Sequence, residues 1–155
     1  MGTPLRVLIV EDSEDDALLV AQTLRRAGYD PAHARVDSAS AMRAALDTEA
    51  WDVVIADYTM PRFSALAALA LLGESGLDLP FLVVSGNIGE ELAVDAMKAG
   101  AHDYIAKDNL ARLAPAIERE LRDAADRAEH RQLEERLRQS LKLVQNQATR
   151  SGMMR

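Results

Sequence analysis

Short runs of consecutive apolar residues recur along roughly the first two thirds of the chain and predict buried strands. Runs of about four to eight apolar residues are typical of strands covered on both faces of a parallel sheet. The predicted strands are Arg6–Val10, Ala32–Val36, Val53–Ala56, Phe81–Val84 and Tyr104–Ala106. The second of these, Ala32–Val36, has the weakest apolar pattern.

Between these runs, apolar residues recur three or four positions apart, which is the spacing of one helix face. The first such segment is Asp15–Ala27, and Gly28 follows it as a typical stop signal. Ser38 is a favourable capping residue for a helix over Ala39–Thr48. Further helices are predicted over Ser64–Leu72, over Glu90–Ala99 and from near Pro115 onward.

The alternation of strands and helices predicts a parallel sheet with helices on both faces. Five strand–helix units indicate the flavodoxin-like doubly wound α/β fold, with strand order 2-1-3-4-5 and five helices, the last extended into a long C-terminal helix. Ligands of such sheets bind beyond the carboxyl ends of the strands. The polar residues that follow the strands here are Glu11, Asp12, Asp57, Ser85 and Lys107.

The residue types at this predicted edge favour phosphoryl transfer. Crowded carboxylates repel one another unless a cation is present, and Mg²⁺ suits a site of one or two carboxylates, waters and a phosphate. A lysine supplies mobile positive charge for phosphate, and a serine hydroxyl donates to a phosphoryl oxygen. Because a carboxylate can itself be the nucleophile, the set predicts transfer of a phosphoryl group onto an aspartate.

Four motifs make the chain similar to the response-regulator receiver family of two-component signalling. They are Val10-Glu11-Asp12, Asp57 with Met60-Pro61, Val84-Ser85-Gly86, and Tyr104-Ile105-Ala106-Lys107. The motifs occur in order at compatible spacings, and the resemblance covers about residues 5–122.

The resemblance implies a phosphorylation site and a metal site. Asp57 matches the phosphoacceptor, which a histidine kinase or histidine phosphotransferase would serve. Asp12 matches a direct Mg²⁺ ligand, Glu11 would act through water, and the backbone carbonyl of Thr59 would complete the protein ligands.

The resemblance also implies a switch. Lys107 would pair with the phosphoryl group and with Asp57. Ser85 would move to bond the phosphate, and Tyr104 would rotate inward to fill the space that it leaves. Such a coupled shift is a two-state change that alters protein–protein contacts or dimerisation.

Charge and composition limit the classes of partner that the chain is expected to bind. Residues 1–108 hold 18 acidic and 8 basic residues, a net charge of −10, which disfavours a nucleic-acid partner. The first six residues lack the features of a signal peptide, and no apolar run approaches the length of a membrane span. We therefore expect a cytoplasmic protein without a membrane partner.

Residues 115–148 read as one long helix, in which Leu133, Leu137, Leu141, Val144 and Ala148 form an apolar stripe. We expect a parallel coiled-coil homodimer or a signalling helix; a solvated single helix that frays after about Arg138 is the alternative. The predicted organisation is a receiver domain over residues 1–122, a helical extension over 123–150 and a disordered end over 151–155.

Other functions fit the residues less well. A pseudo-receiver that dimerises without phosphorylation would not need the acceptor residues. An aspartyl-nucleophile phosphatase usually has a second Asp where Thr59 stands, so no separate enzymatic activity is expected. The acids Glu14, Asp15 and Asp16 are interpreted as favourable charges at a helix N-terminus rather than as metal ligands.

Overall fold

A five-stranded parallel sheet lies at the centre of the N-terminal part of the chain. The computed structural model describes residues 2–58, 60–86 and 89–153. The strand order is β2-β1-β3-β4-β5, and every neighbouring pair is parallel, which confirms the predicted flavodoxin-like topology. The strands are β1 (Thr3–Val10), β2 (Tyr29–Val36), β3 (Val53–Ala56), β4 (Phe81–Ser85) and β5 (Asp103–Ala106).

Strand β2 is longer than its apolar pattern predicts. It begins at Tyr29 rather than Ala32, because the backbone of β1 pairs with it from Thr3 onward. Pro31 lies inside β2, and this is tolerated because β2 is an edge strand with one unpaired side. Pairing between backbones therefore overrides the weak side-chain signal at this edge.

Five helices connect and follow the strands. Ser13, Ser38 and Ser64 each accept a hydrogen bond from the backbone three residues on, so serine side chains begin three of the helices. A short 3₁₀ helix, Lys107–Arg112, joins β5 to the last helix. The α-helices are α1 (Glu14–Arg26), α2 (Ala39–Thr48), α3 (Ala65–Ser75), α4 (Glu90–Lys98) and α5 (Leu113–Met153).

Alternate residues of the strands enter two separate apolar cores. On one face, Leu8 and Val54 pack in a cluster that includes Met42 of α2 and Leu72 of α3. The opposite face buries other strand residues against α1 and the start of α5; its members include Val7, Ile9, Ile55, Leu24, Leu113 and Ile117. Covering both faces fixes the strands, and thereby fixes the positions of the residues that follow them.

The chain divides into two compact units, Met1–Leu121 and Arg122–Arg155. The described residues of the second unit are helical and expose large apolar side chains, namely Leu133, Leu137, Leu141, Leu143 and Val144. The helix continues through Met153, whereas disorder was expected from residue 151; no proline interrupts its hydrogen-bond ladder there. Met154 and Arg155 lie outside the described residues. Among those described, none forms a helix apolar and long enough to cross a membrane.

Two glycines three residues apart give a test of this backbone. Gly76 ends α3 with φ +75°, whereas Gly73 lies inside α3, and an added Cβ has open space at both positions. We expect Gly76→Ala to lower the free energy of unfolding by about 1 kcal/mol, because the left-handed conformation penalises a Cβ. Gly73→Ala should raise it by up to about 1 kcal/mol. Urea denaturation measures both, and a loss of stability in both variants would contradict the prediction.

Candidate functional site

Three carboxylates meet where β1 and β3 end. Glu11 and Asp12 follow β1, Asp57 follows β3, and one oxygen atom of each lies within 4.8 Å of the others. The register explains this meeting, because Val10 pairs with Ala56 and the Asp57 N–H donates to the Val10 carbonyl over 2.9 Å. Glu11 is buried, Asp57 is partly buried and Asp12 is exposed, so the cluster opens to solvent on the Asp12 side.

Lys107 extends from the end of β5 into this cluster. Its Nζ atom lies 3.3 Å from Glu11 Oε2 and 3.7 Å from Asp57 Oδ2. The side chain is 23% exposed, and its Cδ atom would lie 3.7 Å from a Cβ added at Gly86, an ordinary contact distance. The structure therefore brings together the acids and the lysine that were singled out from the sequence.

A fourth carboxylate also contacts the lysine. Asp16, in the first turn of α1, accepts a hydrogen bond of 2.8 Å from Lys107 Nζ, the shortest contact of this ammonium group with the cluster. The sequence analysis interpreted Asp16 as a favourable charge at a helix N-terminus and missed this contact. The available signal was weak, since an acid at this position of a helix is common for other reasons.

Burial, more than the neighbouring negative charge, changes the protonation of Glu11. Burial raises the pKa of Glu11 from 4.5 to about 7; a hydrogen bond with Asp12 and the charge of Asp57 add to the effect, whereas the Ser13 N–H and Lys107 oppose it. Burial lowers the pKa of Lys107, but the Asp16 hydrogen bond and the negative charges of Glu11 and Asp57 outweigh this and hold it above its ordinary value.

The donor set fits Mg²⁺. Carboxylate oxygens are the ligands that this ion prefers, and a divalent charge would relieve the repulsion among the three carboxylates. Glu11, Asp12 and Asp57 would hold the ion. Thr59, whose backbone carbonyl was predicted as a further ligand, lies outside the described residues.

The two predicted switch residues lie in neighbouring strands of the sheet, β4 and β5. Ser85 is the last residue of β4 and is 1% exposed. Tyr104, in β5, is 8% exposed and packs in the same core cluster as Met60. The ring of Tyr58, which directly follows Asp57, lies 6.4 Å from the Tyr104 ring, centroid to centroid. This aromatic neighbour, which the sequence analysis did not single out, connects the loop after β3 with the switch position.

A surface cavity of about 280 Å³ lies next to the acids. Asp12 lines it together with Met60 and Pro61, which belong to the loop after β3. Asp37 and Arg62 complete the lining. The exposed side of the cluster is thus bordered by residues of two different loops.

A family model described as the response regulator receiver domain matches residues 7–118. The chain belongs to this family. Receiver domains of two-component systems interact with histidine kinases and generally bind Mg²⁺ at an acidic pocket.

Individual relatives agree with the family. The chain is 32% identical over 105 residues to the transcriptional regulatory protein PrrA of Mycobacterium bovis, with 68% of this chain and 44% of PrrA covered. It is 32% identical over 107 residues to the chemotaxis protein CheY of Treponema pallidum, covering 68% of this chain and 74% of CheY. The chain therefore spans less than half the length of PrrA but most of CheY.

A solved structure extends the agreement to three dimensions. The full-length FixJ of B. japonicum superimposes with a TM-score of 0.70 at 27% identity, covering 82% of this chain and 62% of FixJ.

The raised pKa of Glu11 makes metal-free stability depend on pH. The folded chain binds this proton more tightly than the unfolded chain, so the contribution to stability is complete below pH 4.5 and is lost as pH rises through about 7. Glu11→Gln cannot ionise. With a chelator present, we expect this variant to be more stable than the wild type by less than about 1 kcal/mol at pH 5 and by about 2 to 3 kcal/mol at pH 8.

Urea denaturation at the two pH values measures this difference. Asp15→Asn, which neutralises an exposed acid of α1, is the matched control. Its effect on the free energy of unfolding should change little between the two pH values. An equal effect of Glu11→Gln at pH 5 and pH 8 would contradict the prediction.

Proposed function

We propose that this receiver domain accepts a phosphoryl group on Asp57 from a phosphohistidine of a kinase or phosphotransferase. The observation that supports this most is the convergence of the Asp57 carboxylate with two further acids and Lys107 at one edge of the sheet. A carboxylate oxygen of Asp57 forms the new bond to phosphorus as the phosphorus–nitrogen bond breaks. The electron pair stays on the departing imidazole nitrogen, which takes up a proton.

The neighbouring side chains have separate tasks in this reaction. Lys107, 3.7 Å from Asp57, neutralises charge on the phosphoryl oxygens. Glu11, Asp12 and Asp57 would hold Mg²⁺, which would supply further positive charge when bound. The domain thereby promotes its own phosphorylation and dephosphorylation.

The response passes from Ser85 to Tyr104. Ser85 lies at the end of β4, and it pairs with Ala106 just before Lys107, so its hydroxyl is well placed to follow a phosphoryl group. Tyr104 is one strand over, in β5, and its ring lies near that of Tyr58. A shift of Ser85 therefore changes the packing around both rings and the surface that they border.

Mass spectrometry of intact protein tests the acceptor. With Mg²⁺ and acetyl phosphate, we expect the wild type to gain one phosphoryl group and Asp57→Asn to gain none, because the amide lacks the nucleophilic oxygen. Lys107→Ala should be modified at least tenfold more slowly, because a charge that neutralises the transferred group is lost.

Beryllofluoride, which mimics a bound phosphoryl group, distinguishes a short-lived adduct from an absent one. Wild-type protein that neither gains mass nor binds beryllofluoride would contradict the proposal and favour a domain that signals without phosphorylation. Adduct formation by Asp57→Asn would place the acceptor elsewhere.

We further propose that the C-terminal helix forms a parallel homodimer. Leu137, Leu141 and Val144 are 62%, 55% and 62% exposed, and with Ala148 they follow the alternating spacing of four, three and four residues of a coiled-coil seam. A second copy of the same helix presents a matching seam and removes these side chains from water.

Sedimentation of two variants tests the dimer. Leu141→Glu places a charge in the seam and should give a monomer, whereas Gln139→Glu adds the same charge away from the seam and should leave the dimer intact. A monomeric wild type at micromolar concentration would contradict the proposal. Repeating the measurement with beryllofluoride shows whether phosphorylation changes the association.

A further inference from the structure

Lys107 does not make its shortest contact with the proposed acceptor. Its Nζ atom lies 2.8 Å from Asp16 Oδ2 but 3.7 Å from Asp57 Oδ2, with Glu11 Oε2 between these values at 3.3 Å. The contact with Asp16 has the length of a charge-assisted hydrogen bond, whereas the distance to Asp57 exceeds that length. The ammonium group is therefore drawn toward α1.

The start of α1 explains why Asp16 is available for this contact. In a helix that begins with Ser-x-x-acid, the acid side chain commonly turns back to the N–H of the capping serine. Here the Ser13 N–H donates to Glu11 Oε1 over 3.1 Å, and the Ser13 hydroxyl accepts from the Asp16 N–H over 3.2 Å. Because Glu11 occupies the serine N–H, the Asp16 carboxylate is directed to Lys107 instead.

The same arrangement connects Asp16 to the rest of the cluster. Glu11 contacts Ser13 with one carboxylate oxygen and Lys107 with the other. Asp16 is held at its backbone by Ser13 and at its side chain by Lys107. A closed ring of four residues thus fixes the lysine on the α1 side of the site.

We propose that Asp16 is a positioning residue that competes with Asp57 for Lys107 and so weakens the capture of a phosphoryl group. This inference rests on the function proposed above, in which Lys107 neutralises the phosphoryl oxygens. When the lysine contacts such a group, its ammonium group moves away from Asp16 or shares its three N–H donors with a further acceptor. Removing the Asp16 carboxylate removes that competition and frees the ammonium group for the phosphoryl oxygens.

Beryllofluoride affinity measures this competition directly. Calorimetric titration at saturating Mg²⁺ compares the wild type with Asp16→Ala, Asp16→Asn and the control Asp15→Asn. Asp15 is exposed on the same turn, so its neutralisation reports the general effect of one charge. We expect Asp16→Ala to bind beryllofluoride roughly three- to tenfold more tightly than the control, because the competing contact is partly screened by solvent.

Asp16→Asn separates charge from geometry. The amide oxygen can still accept a hydrogen bond from Lys107, so this variant should fall between the wild type and Asp16→Ala. A role of Asp16 in helix stability alone would alter urea denaturation of the variants without changing beryllofluoride affinity relative to the control. Mg²⁺ affinity, measured without beryllofluoride, should change no more in Asp16→Asn than in Asp15→Asn.

Three results would overturn the inference while leaving the proposed function intact. An affinity of Asp16→Ala no higher than that of the control would mean that Asp16 does not compete for Lys107. Weaker binding by Asp16→Ala would mean that Asp16 presents the lysine to the phosphoryl group. A loss of Mg²⁺ affinity of more than roughly tenfold in Asp16→Asn alone would make Asp16 a metal ligand. If the wild type itself neither gains a phosphoryl group nor binds beryllofluoride, the proposed function and this inference both fail.

Discussion

The electrostatic balance at the carboxyl edge of the sheet is the constraint on which the site depends. Three carboxylates share a space in which their oxygens lie within 4.8 Å of one another, and one ammonium group, that of Lys107, reaches them. Burial and repulsion together raise the pKa of Glu11 to about 7. At neutral pH the three carboxylates are therefore not all ionised. A divalent cation or a change of protonation relieves this repulsion.

The packing of the sheet maintains this unfavourable arrangement. Strands β1 and β3 are covered on both faces, and their register places Asp57 next to the end of β1. Separating the carboxylates would require breaking these buried contacts, which is costly because interiors are closely packed. The packed sheet thus holds the three carboxylates close together although their charges repel one another.

The second unit differs from the first in leaving its apolar side chains exposed. Leu137, Leu141 and Val144 of the C-terminal helix are largely exposed, so the described helix does not bury its own apolar seam. Isolated helices gain little from propensity alone and depend on packing of an apolar face. The apolar seam of this segment therefore stays exposed in the single chain, whereas the first unit buries its apolar side chains in two cores of its own.

The elements and most of the site were predictable because each depends on local pattern. The apolar runs predicted the central strands β1, β3 and β4, and the acids at two strand ends predicted where Glu11, Asp12 and Asp57 would meet. The start of β2 at Tyr29 and the helical conformation of residues 151–153 differ from the predictions. The first depends on backbone pairing with β1. The second depends on the continuation of the helical backbone hydrogen bonds, which the pattern of side chains does not indicate.

The sequence by itself determined the alternation of elements, the two-sided burial of the sheet and the chemical groups at its edge. Only the tertiary structure decided how one lysine divides its contacts among Glu11, Asp16 and Asp57, and that Tyr58 lies near Tyr104. Periodicity reports which face of an element a side chain occupies. The lysine is 91 residues from Asp16 along the chain, so their 2.8 Å contact depends on the packing of α1 against the sheet and on which acceptor occupies the Ser13 N–H.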